Sequence, residues 1–185
     1  MRRFLTIPLV LLLGCTSTAV TVWTGDGLSR SPSASAVRIH GKALVTITRV
    51  VDGDTAHVLL RDEDVTIRFI GVDTPETVAP GRPVECYGPE ASRFTTRRLT
   101  GRRVGLEFDV DRVDPFGRTL AYLWMPDGSL FNETLVRAGF ATVATYPPDT
   151  RYVDRFEGAQ RSAEAADRGL WAACEASGPL ALSSG

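Results

Sequence analysis

The chain has 185 residues, of which 43% are hydrophobic and 23% charged, an ordinary globular composition with room for one folded domain. Its formal net charge of −1 argues against a large basic surface that coats nucleic acid without specificity. A local basic site is compatible with this balance. Lys42 is the only lysine, so an anion would mostly meet the bidentate fork of an arginine.

Residues 1–15 have the pattern of a secretory signal peptide. A positive start precedes an apolar run over residues 4–13 that is too short to span a bilayer as a stable helix. The Leu-Leu-Gly-Cys sequence at 12–15 is typical of a lipobox, in which Cys15 is acylated and becomes the mature N-terminus. The alternative is a plain signal peptide cleaved elsewhere, such as at the small residues 34–36. We therefore expect an exported protein, anchored to the outer face of the cell membrane as a lipoprotein or secreted.

Three further segments are predicted after the signal peptide. Residues 16–41 are rich in Ser, Thr, Gly and Ala and lack sustained periodicity, which predicts a flexible tether. Residues 42–174 have the length and patterning of a single folded domain. Residues 175–185 are small and polar, which predicts a loose tail.

The cysteines predict a disulfide. If Cys15 is lipidated, Cys86 and Cys174 remain as an even pair in an oxidising compartment. A bond between them would tie the end of the domain to an internal loop. The alternative is two unpaired buried thiols, because the sequence does not measure their separation.

In chain order the domain is predicted to contain three strands, a helix, two strands and two helices. The strands are expected at 43–51, 55–60, 65–72, 103–109 and 118–125, and the helices at 88–101, 130–139 and 149–170. Five strands with a helix between the third and fourth is the arrangement of a five-stranded Greek-key OB barrel with three helices, an α+β fold. Oligonucleotides commonly bind such barrels, although a fold alone does not give a chemistry.

Acidic residues follow the first and third predicted strands. Asp52-Gly53-Asp54 lies between two strand-like runs and predicts a hairpin turn, in which Gly53 lets the chain reverse. Nineteen residues after Asp54, the sequence Asp73-Thr74-Pro75-Glu76 closes the third strand. If the two strand ends meet, Asp54 and Asp73 can share a cation, and their oxygen ligands suit a hard cation such as calcium. The lack of a histidine or cysteine cluster in the sequence argues against zinc.

Two arginines extend this pattern. Arg68 lies in the third predicted strand, and Arg118 follows the turn Asp114-Pro115-Phe116-Gly117. A cation, a carboxylate base and paired guanidinium groups are what phosphodiester hydrolysis requires, because together they neutralise the growing charge and accept a proton from water. Each motif alone is most often a turn, a loop or a surface ion pair, and only their combination favours a hydrolytic site.

Together these motifs resemble the staphylococcal nuclease (thermonuclease) family. The resemblance covers about residues 43–172, and the matching segments are VDGDT at 51–55, RFIGVDTPE at 68–76, YGPEAS at 87–92, FGRTLAY at 116–122 and NETLVRAGFA at 132–141. It implies an OB barrel with three helices. It also implies calcium-dependent endonucleolytic hydrolysis of DNA and RNA, preferably single-stranded, to products with 3′-phosphate ends. No protein partner is implied, and we expect a monomer.

The resemblance assigns the expected Ca²⁺ ligands. Asp54 and Asp73 would coordinate the ion through their carboxylates, and Thr74 would do so through its backbone carbonyl. Asp52 would lie close by and support the site indirectly.

The resemblance also assigns the remaining site residues. Glu76 would position or deprotonate the attacking water, while Arg68 and Arg118 would bind the scissile phosphate and stabilise the five-coordinate transition state. Phe116 stands where the family usually has a tyrosine, so it can stack on a base but cannot donate a hydrogen bond. Tyr146 stands where the family carries two tyrosines near the base.

Two other functions stay open. One is a non-catalytic OB-fold module that binds single-stranded nucleic acid without cutting it. The other is a surface lipoprotein whose calcium site serves stability alone. The retained acidic and arginine positions disfavour the first of these.

Overall fold

The computed structural model describes residues 38–60, 62–77, 81 and 83–174. The predicted signal peptide, Cys15, most of the predicted tether and the predicted tail therefore lie outside the described residues. No helix in the described ranges is long and apolar enough to cross a membrane.

Eight strands and four helices make up the described chain. In chain order they are β1 (Arg38–Ile39), β2 (Lys42–Val50), β3 (Thr55–Leu60), β4 (Glu63–Phe69), β5 (Val72–Asp73), α1 (Gly88–Leu99), β6 (Arg103–Glu107), β7 (Thr119–Trp124), α2 (Phe131–Arg137), β8 (Thr142–Val143), α3 (Val153–Glu164) and α4 (Leu170–Ala173). All five predicted barrel strands are present; the second has the predicted bounds, 55–60, and the other four have shifted ends.

Five of the strands close into a barrel. Their order is β2-β3-β4-β7-β6, and β6 pairs back onto β2. The β4–β7 pair is parallel and the other four are antiparallel, so Arg68 on β4 lies opposite Leu120 on β7. This mixed closed barrel with its helices confirms the predicted α+β OB fold.

Inward-facing and outward-facing side chains alternate along the barrel strands, and the inward-facing ones form the core. Every second side chain points inward, as the two-residue period of a strand requires. The inward residues are at most 3% exposed, and they are Val45 and Ile47, Ala56 and Val58, Ile67 and Phe69, Val104 and Leu106, and Ala121 and Leu123. The helices cover this core with apolar positions of their own, such as Leu99 of α1, Leu135 of α2 and Phe156 of α3.

The chain turns into the sheet earlier than predicted. Arg38–Ile39 was assigned to the tether but pairs antiparallel with the start of β2, through a turn in which His40 and Gly41 both have positive φ. A two-residue strand is too short to show a hydrophobic period, so the sequence pattern did not reveal it.

The third predicted strand, 65–72, is divided between two sheets. β4 pairs with β7 as far as Phe69, which lies opposite Ala121. Val72 and Asp73 pair instead with Val143 and Thr142 of β8, in a separate two-stranded sheet. Asp73 is therefore held by the segment that follows α2 and not by the barrel.

The third predicted helix, 149–170, is also divided. α3 ends at Glu164, and α4 starts at Leu170 after a turn with positive φ at Asp167 and Gly169. A Cβ on Gly169 would lie 2.2 Å from the carbonyl oxygen of Gly139, so the two backbones approach too closely for any side chain. The break brings the start of α4 against the end of α2, where the N–H of Leu170 donates to the carbonyl of Gly139. Cys174, just beyond α4, forms the predicted disulfide with Cys86.

Candidate active site

The turn Asp52-Gly53-Asp54 is packed from two sides. The hydroxyl of Thr95, on the buried face of α1, donates to the carbonyl of Gly53 at 2.7 Å. The backbone N–H of Asp54 donates to Oδ1 of Asp52 at 3.1 Å. Asp52 is thus an acceptor that shapes the turn.

Gly53 is required for a reason that the sequence did not indicate. Its φ lies outside the left-handed region, so the reversal itself does not need a glycine. A Cβ at this position would lie 2.6 Å from both Cγ2 and Oγ1 of Thr74. The missing side chain is what allows Thr74 to reach the neighbouring carboxylate of Asp54.

The carboxylate of Asp54 is buried and held by four donors. Its Oδ2 accepts hydrogen bonds from the backbone N–H and the hydroxyl of Thr74, at 2.8 and 3.0 Å, and lies 3.2 Å from Nη2 of Arg68. Its Oδ1 accepts from the hydroxyl of Thr55 at 3.0 Å. With 4% of the residue exposed, the orientation of this carboxylate is determined by its partners.

Arg68 joins the two acidic segments. Its Nη1 donates to the carbonyls of Phe69 and Val72, at 2.9 and 2.7 Å, which fixes the plane of the guanidinium. Its Nη2 donates to Oδ1 of Asp73 at 2.8 Å and also contacts Asp54. Asp54 and Asp73 therefore both contact one nitrogen of Arg68, although Asp54 lies in the turn before β3 and Asp73 in β5 of the second sheet.

The acidic cluster carries more negative charge than Arg68 neutralises. Burial and the neighbouring Asp54 raise the pKa of Asp52 to about 6. Burial, followed by repulsion from Asp54, also raises the pKa of Asp73, and the opposing attraction of Arg68 does not cancel this effect. A site of this kind gains from a further positive charge.

The donor chemistry of the cluster fits a hard cation. Asp54 and Asp73 offer carboxylate oxygens, and Thr74 adds a backbone carbonyl, which are ligand types that calcium accepts together with water. In the residues that the structure describes, no group of three or more His, Cys, Asp or Glu side chains is arranged to hold a metal. The cation site would therefore depend on two carboxylates, a carbonyl and solvent.

Glu76 lies on the segment that leaves this cluster. Its Oε1 accepts the N–H of Thr77 at 2.8 Å, and its own N–H donates to Oε2 of Glu85 at 3.0 Å. The N–H of Glu85 in turn donates to the carbonyl of Glu76 at 2.9 Å. This reciprocal pairing anchors Glu76 to the loop before α1, next to disulfide-bonded Cys86. Glu85 carried no signal in the sequence that would have identified this contact.

Arg118 is held by a loop that surrounds one carboxylate. Oδ2 of Asp114 accepts from Nε of Arg118 at 2.6 Å, and its Oδ1 accepts the N–H groups of Phe116 and Arg118, each at 2.9 Å. Burial alone would raise the pKa of Asp114, but hydrogen bonds from Arg118 and Phe116 outweigh it and lower the pKa. Asp114 was not predicted as a site residue, although an aspartate that opens a turn is a familiar backbone acceptor.

A cavity of about 440 Å³ lies between Arg68 and Arg118. This volume is in the range of small-ligand sites, about 300–1,000 Å³. Phe116 and Tyr146 also line the cavity, and they are 84% and 70% exposed. The lining includes Asp111, Asp114 and Asp149 but no aspartate of the cluster around Asp54. Arg68 is therefore the residue that the cavity and that cluster share.

The structure thus brings together most of the predicted site residues. Asp52, Asp54, Asp73 and Thr74 form one cluster with Arg68, in contacts of 2.8–3.2 Å. The other predicted residues, Arg118, Phe116 and Tyr146, line the adjoining cavity, and Glu76 follows the cluster without lining the cavity.

Comparison with known proteins agrees with this geometry. The family model described as staphylococcal nuclease homologue matches residues 66–173. A thermonuclease of Staphylococcus intermedius is 38% identical over 92% of this chain and 99% of its own length. A thermonuclease of Staphylococcus hyicus is 46% identical over 68% of this chain and 73% of its own. Endonuclease YncB of Bacillus subtilis (strain 168) is 40% identical over 69% of this chain and 61% of its own length. The chain belongs to the staphylococcal nuclease family.

Proposed function

We propose that this protein is a calcium-dependent nuclease that hydrolyses DNA and RNA to products with 3′-phosphate ends. Membership of the family, and relatives named thermonuclease and endonuclease, support the nuclease activity. The observation that carries the proposed mechanism is the convergence of Asp54 and Asp73 on Arg68, beside a cavity that also contains Arg118.

The two arginines are suited to bind the scissile phosphate. Guanidinium groups form strong, directional contacts with phosphate oxygens, and here they approach one cavity from β4 and from the loop before β7. Each is already oriented, Arg68 by two backbone carbonyls and Arg118 by Asp114. Such preorganised donors stabilise charge that develops in the transition state.

Asp54, Asp73 and the carbonyl of Thr74 would hold the calcium ion. When bound there, the ion supplies positive charge that polarises a phosphoryl oxygen. Thr74 and Thr55 keep the Asp54 carboxylate in one orientation, and Asp52 shapes the turn that carries it.

Glu76 is the carboxylate that we assign to act on water. In the proposed step, water attacks phosphorus, Glu76 accepts a proton from that water, and the bond between phosphorus and O5′ breaks. The products are a 3′-phosphate and a 5′-hydroxyl, whose oxygen takes up a proton. Phe116 and Tyr146, exposed beside the cavity, offer rings on which a base can stack.

We also propose that the protein works outside the cell, either tethered through lipidated Cys15 or secreted. The support is the N-terminal sequence pattern, together with a disulfide between Cys86 and Cys174, which suits an oxidising compartment. A monomer is sufficient for this proposal, because every proposed site residue comes from one chain.

Cleavage of single-stranded DNA with calcium or with a chelator tests the proposal. We expect products only with calcium, and ends that a polymerase extends only after phosphatase treatment. Arg118→Ala should lower kcat about 10²–10³-fold with little change in Tm, because a transition-state contact is lost. Arg161→Ala is the matched control, since this α3 side chain is 68% exposed and distant in sequence from the cluster.

Two outcomes would contradict the proposal. If the protein binds DNA but yields no product with calcium, the non-catalytic OB module becomes the better description. If Arg118→Ala keeps the wild-type rate, Arg118 does not belong to the catalytic group.

A further inference from the structure

An arginine-rich surface includes residues of α1, of the turn that follows it and of the start of β6. Residues 91–106 contain five arginines and no acidic residue, in a chain whose net charge is −1. All five side chains belong to exposed residues, and none lines the cavity at Arg68 and Arg118. We call this surface the α1 arginine face, and its members are Arg93, Arg97, Arg98, Arg102 and Arg103.

Most of this charge is not neutralised by the protein. Arg93 contacts Glu90 at 2.6 Å, and Arg98 lies over the ring of Phe94 and near Asp127. Over the described ranges, the guanidinium groups of the remaining three members, Arg97, Arg102 and Arg103, contact no carboxylate.

Three exposed arginines elsewhere on the surface have carboxylate partners. Arg137 and Arg155 both contact Glu133, and Arg151 contacts Glu107. These exposed guanidinium groups already have partners within the fold. Within the α1 arginine face, Arg97, Arg102 and Arg103 are therefore the members that can bind an external anion without giving up a carboxylate partner among the described residues.

The side chains between the arginines favour a phosphate backbone over a membrane. The exposed residues among them are Thr96, Thr100 and Gly101, and every exposed large hydrophobic residue of the described chain lies outside 91–106. Membrane-surface helices add apolar side chains that enter the lipid. Contacts to nucleic acid backbones come instead from arginines and small polar groups.

The position of α1 relates this face to the acidic cluster. Thr95, on the buried side of the helix, contacts Gly53 in the turn that carries Asp54. Arg93, Arg97 and Arg98 lie on the exposed side of the same helix, whose diameter is about 10 Å. The other two members follow the helix directly in the chain. A polynucleotide bound there stays close to the site at which it is cut.

We propose that the α1 arginine face is an auxiliary binding surface for the sugar–phosphate backbone of nucleic acid. The proposal rests on the nuclease function proposed above, because the bound polymer is its substrate. The face holds long chains near the turn that carries Asp54 and lowers their KM. Short substrates that occupy only the cavity do not reach it, and the bond-breaking step itself is unaffected.

The triple variant Arg97→Gln/Arg102→Gln/Arg103→Gln tests this proposal in the full chain. Binding of a long single-stranded oligonucleotide is measured by fluorescence anisotropy with a chelator present, over a series of salt concentrations. Each phosphate contact on single strands contributes about 0.7 to the slope of log K against log salt, so the slope should fall by about 2. The affinity at low salt should fall at least tenfold.

Cleavage kinetics with calcium distinguish binding at the α1 arginine face from binding in the cavity. The kcat/KM for the long oligonucleotide should fall as the affinity does, through KM. The kcat/KM for a small chromogenic thymidine diester should stay at the wild-type value. Arg97→Gln alone is compared with Arg161→Gln, which removes the same charge from an exposed position on another helix, and only Arg97→Gln should weaken binding.

Each contrary result has a definite meaning. An unchanged affinity and salt slope in the triple variant, or an equal loss in Arg161→Gln, overturns the proposal. An equal loss on the small diester, or a lowered Tm that accounts for the loss, also overturns it. If the triple variant loses binding only to vesicles of anionic lipid, the face is a membrane contact and the proposal is wrong. If wild type binds DNA through the face but does not cut it with calcium, the proposed nuclease function fails while the surface stands.

Discussion

Substituting Gly53 by alanine should damage both the stability and the activity of the protein. The new methyl carbon would lie 2.6 Å from Cγ2 and Oγ1 of Thr74, and this contact would have to lengthen by about 0.8 Å to reach the 3.4 Å of ordinary packing. Thr74 is β-branched and its backbone is bonded to Asp54, so it cannot rotate away. The turn and Thr74 must therefore separate.

The structure allows the size of the effect to be worked out. A separation of this size stretches both hydrogen bonds from Thr74 to Asp54 beyond about 3.5 Å, a distance at which they are no longer hydrogen bonds. Overpacking costs about 1–3 kcal/mol, and the loss of hydrogen bonds to a charged group adds to it, so we expect a loss of about 3 kcal/mol. For a domain of this size that lowers Tm by roughly 10 °C. Misplacing Asp54 by nearly 1 Å should lower kcat about 10²-fold.

Denaturant melts and calcium-dependent DNA cleavage measure the two effects. Gly158→Ala is the control, because its Cβ would lie 3.9 Å from Arg161, and alanine favours the α3 helix by about 1 kcal/mol. Wild-type stability and rate in Gly53→Ala would refute the close approach of the turn to Thr74. A loss of stability with an unchanged kcat would show that Thr74 does not orient a catalytic carboxylate.

Three further predictions concern the rest of the fold. Burial would raise the pKa of Glu133, but hydrogen bonds from two arginines outweigh it and lower the pKa. The stability that the charged Glu133 contributes is therefore lost as the pH falls below 4.5, the value of a free glutamate. In Glu133→Gln, Tm should fall less steeply as the pH is lowered through this range. Replacing Cys86 and Cys174 by serine should cost about 4 kcal/mol in urea melts, because the bond closes an 88-residue separation, and the variant should be insensitive to reductant. Asp114→Asn should lower kcat about tenfold, since asparagine no longer pairs as a charge with Arg118. It should also lower Tm at neutral pH, because the lowered pKa of Asp114 means that its charge stabilises the fold; an unchanged kcat would contradict the role of Asp114 in orienting Arg118.

Local periodicity was sufficient to predict the barrel strands and most of the helices. Val45 and Ile47, for example, alternate with polar residues along β2, as a strand with one buried face requires. The short elements were not predicted because they are stabilised by residues that are far away in the sequence. β5 exists only because Val72 meets Val143, and α3 ends early because Gly169 packs on Gly139.

The motifs predicted which side chains form the candidate site, but not how they are held. Asp54, Arg68 and Asp73 were chosen for their residue types and spacing, and the structure brings all three within 2.8–3.2 Å contacts. The contribution of Glu85 depends on a pairing with Glu76 across a loop. No local pattern encodes such a contact, because the two residues become neighbours only when the loop is closed.

The parallel pairing of β4 with β7 makes catalytic competence a late product of folding. It joins segments about fifty residues apart, and α1 and β6 lie between them. Contacts of such long range form slowly, after the intervening elements are in place. Arg68 and Arg118 therefore come to face each other only when the barrel closes. If the chain is exported as proposed above, this order would keep the unfolded chain harmless to the nucleic acids of the cell that makes it.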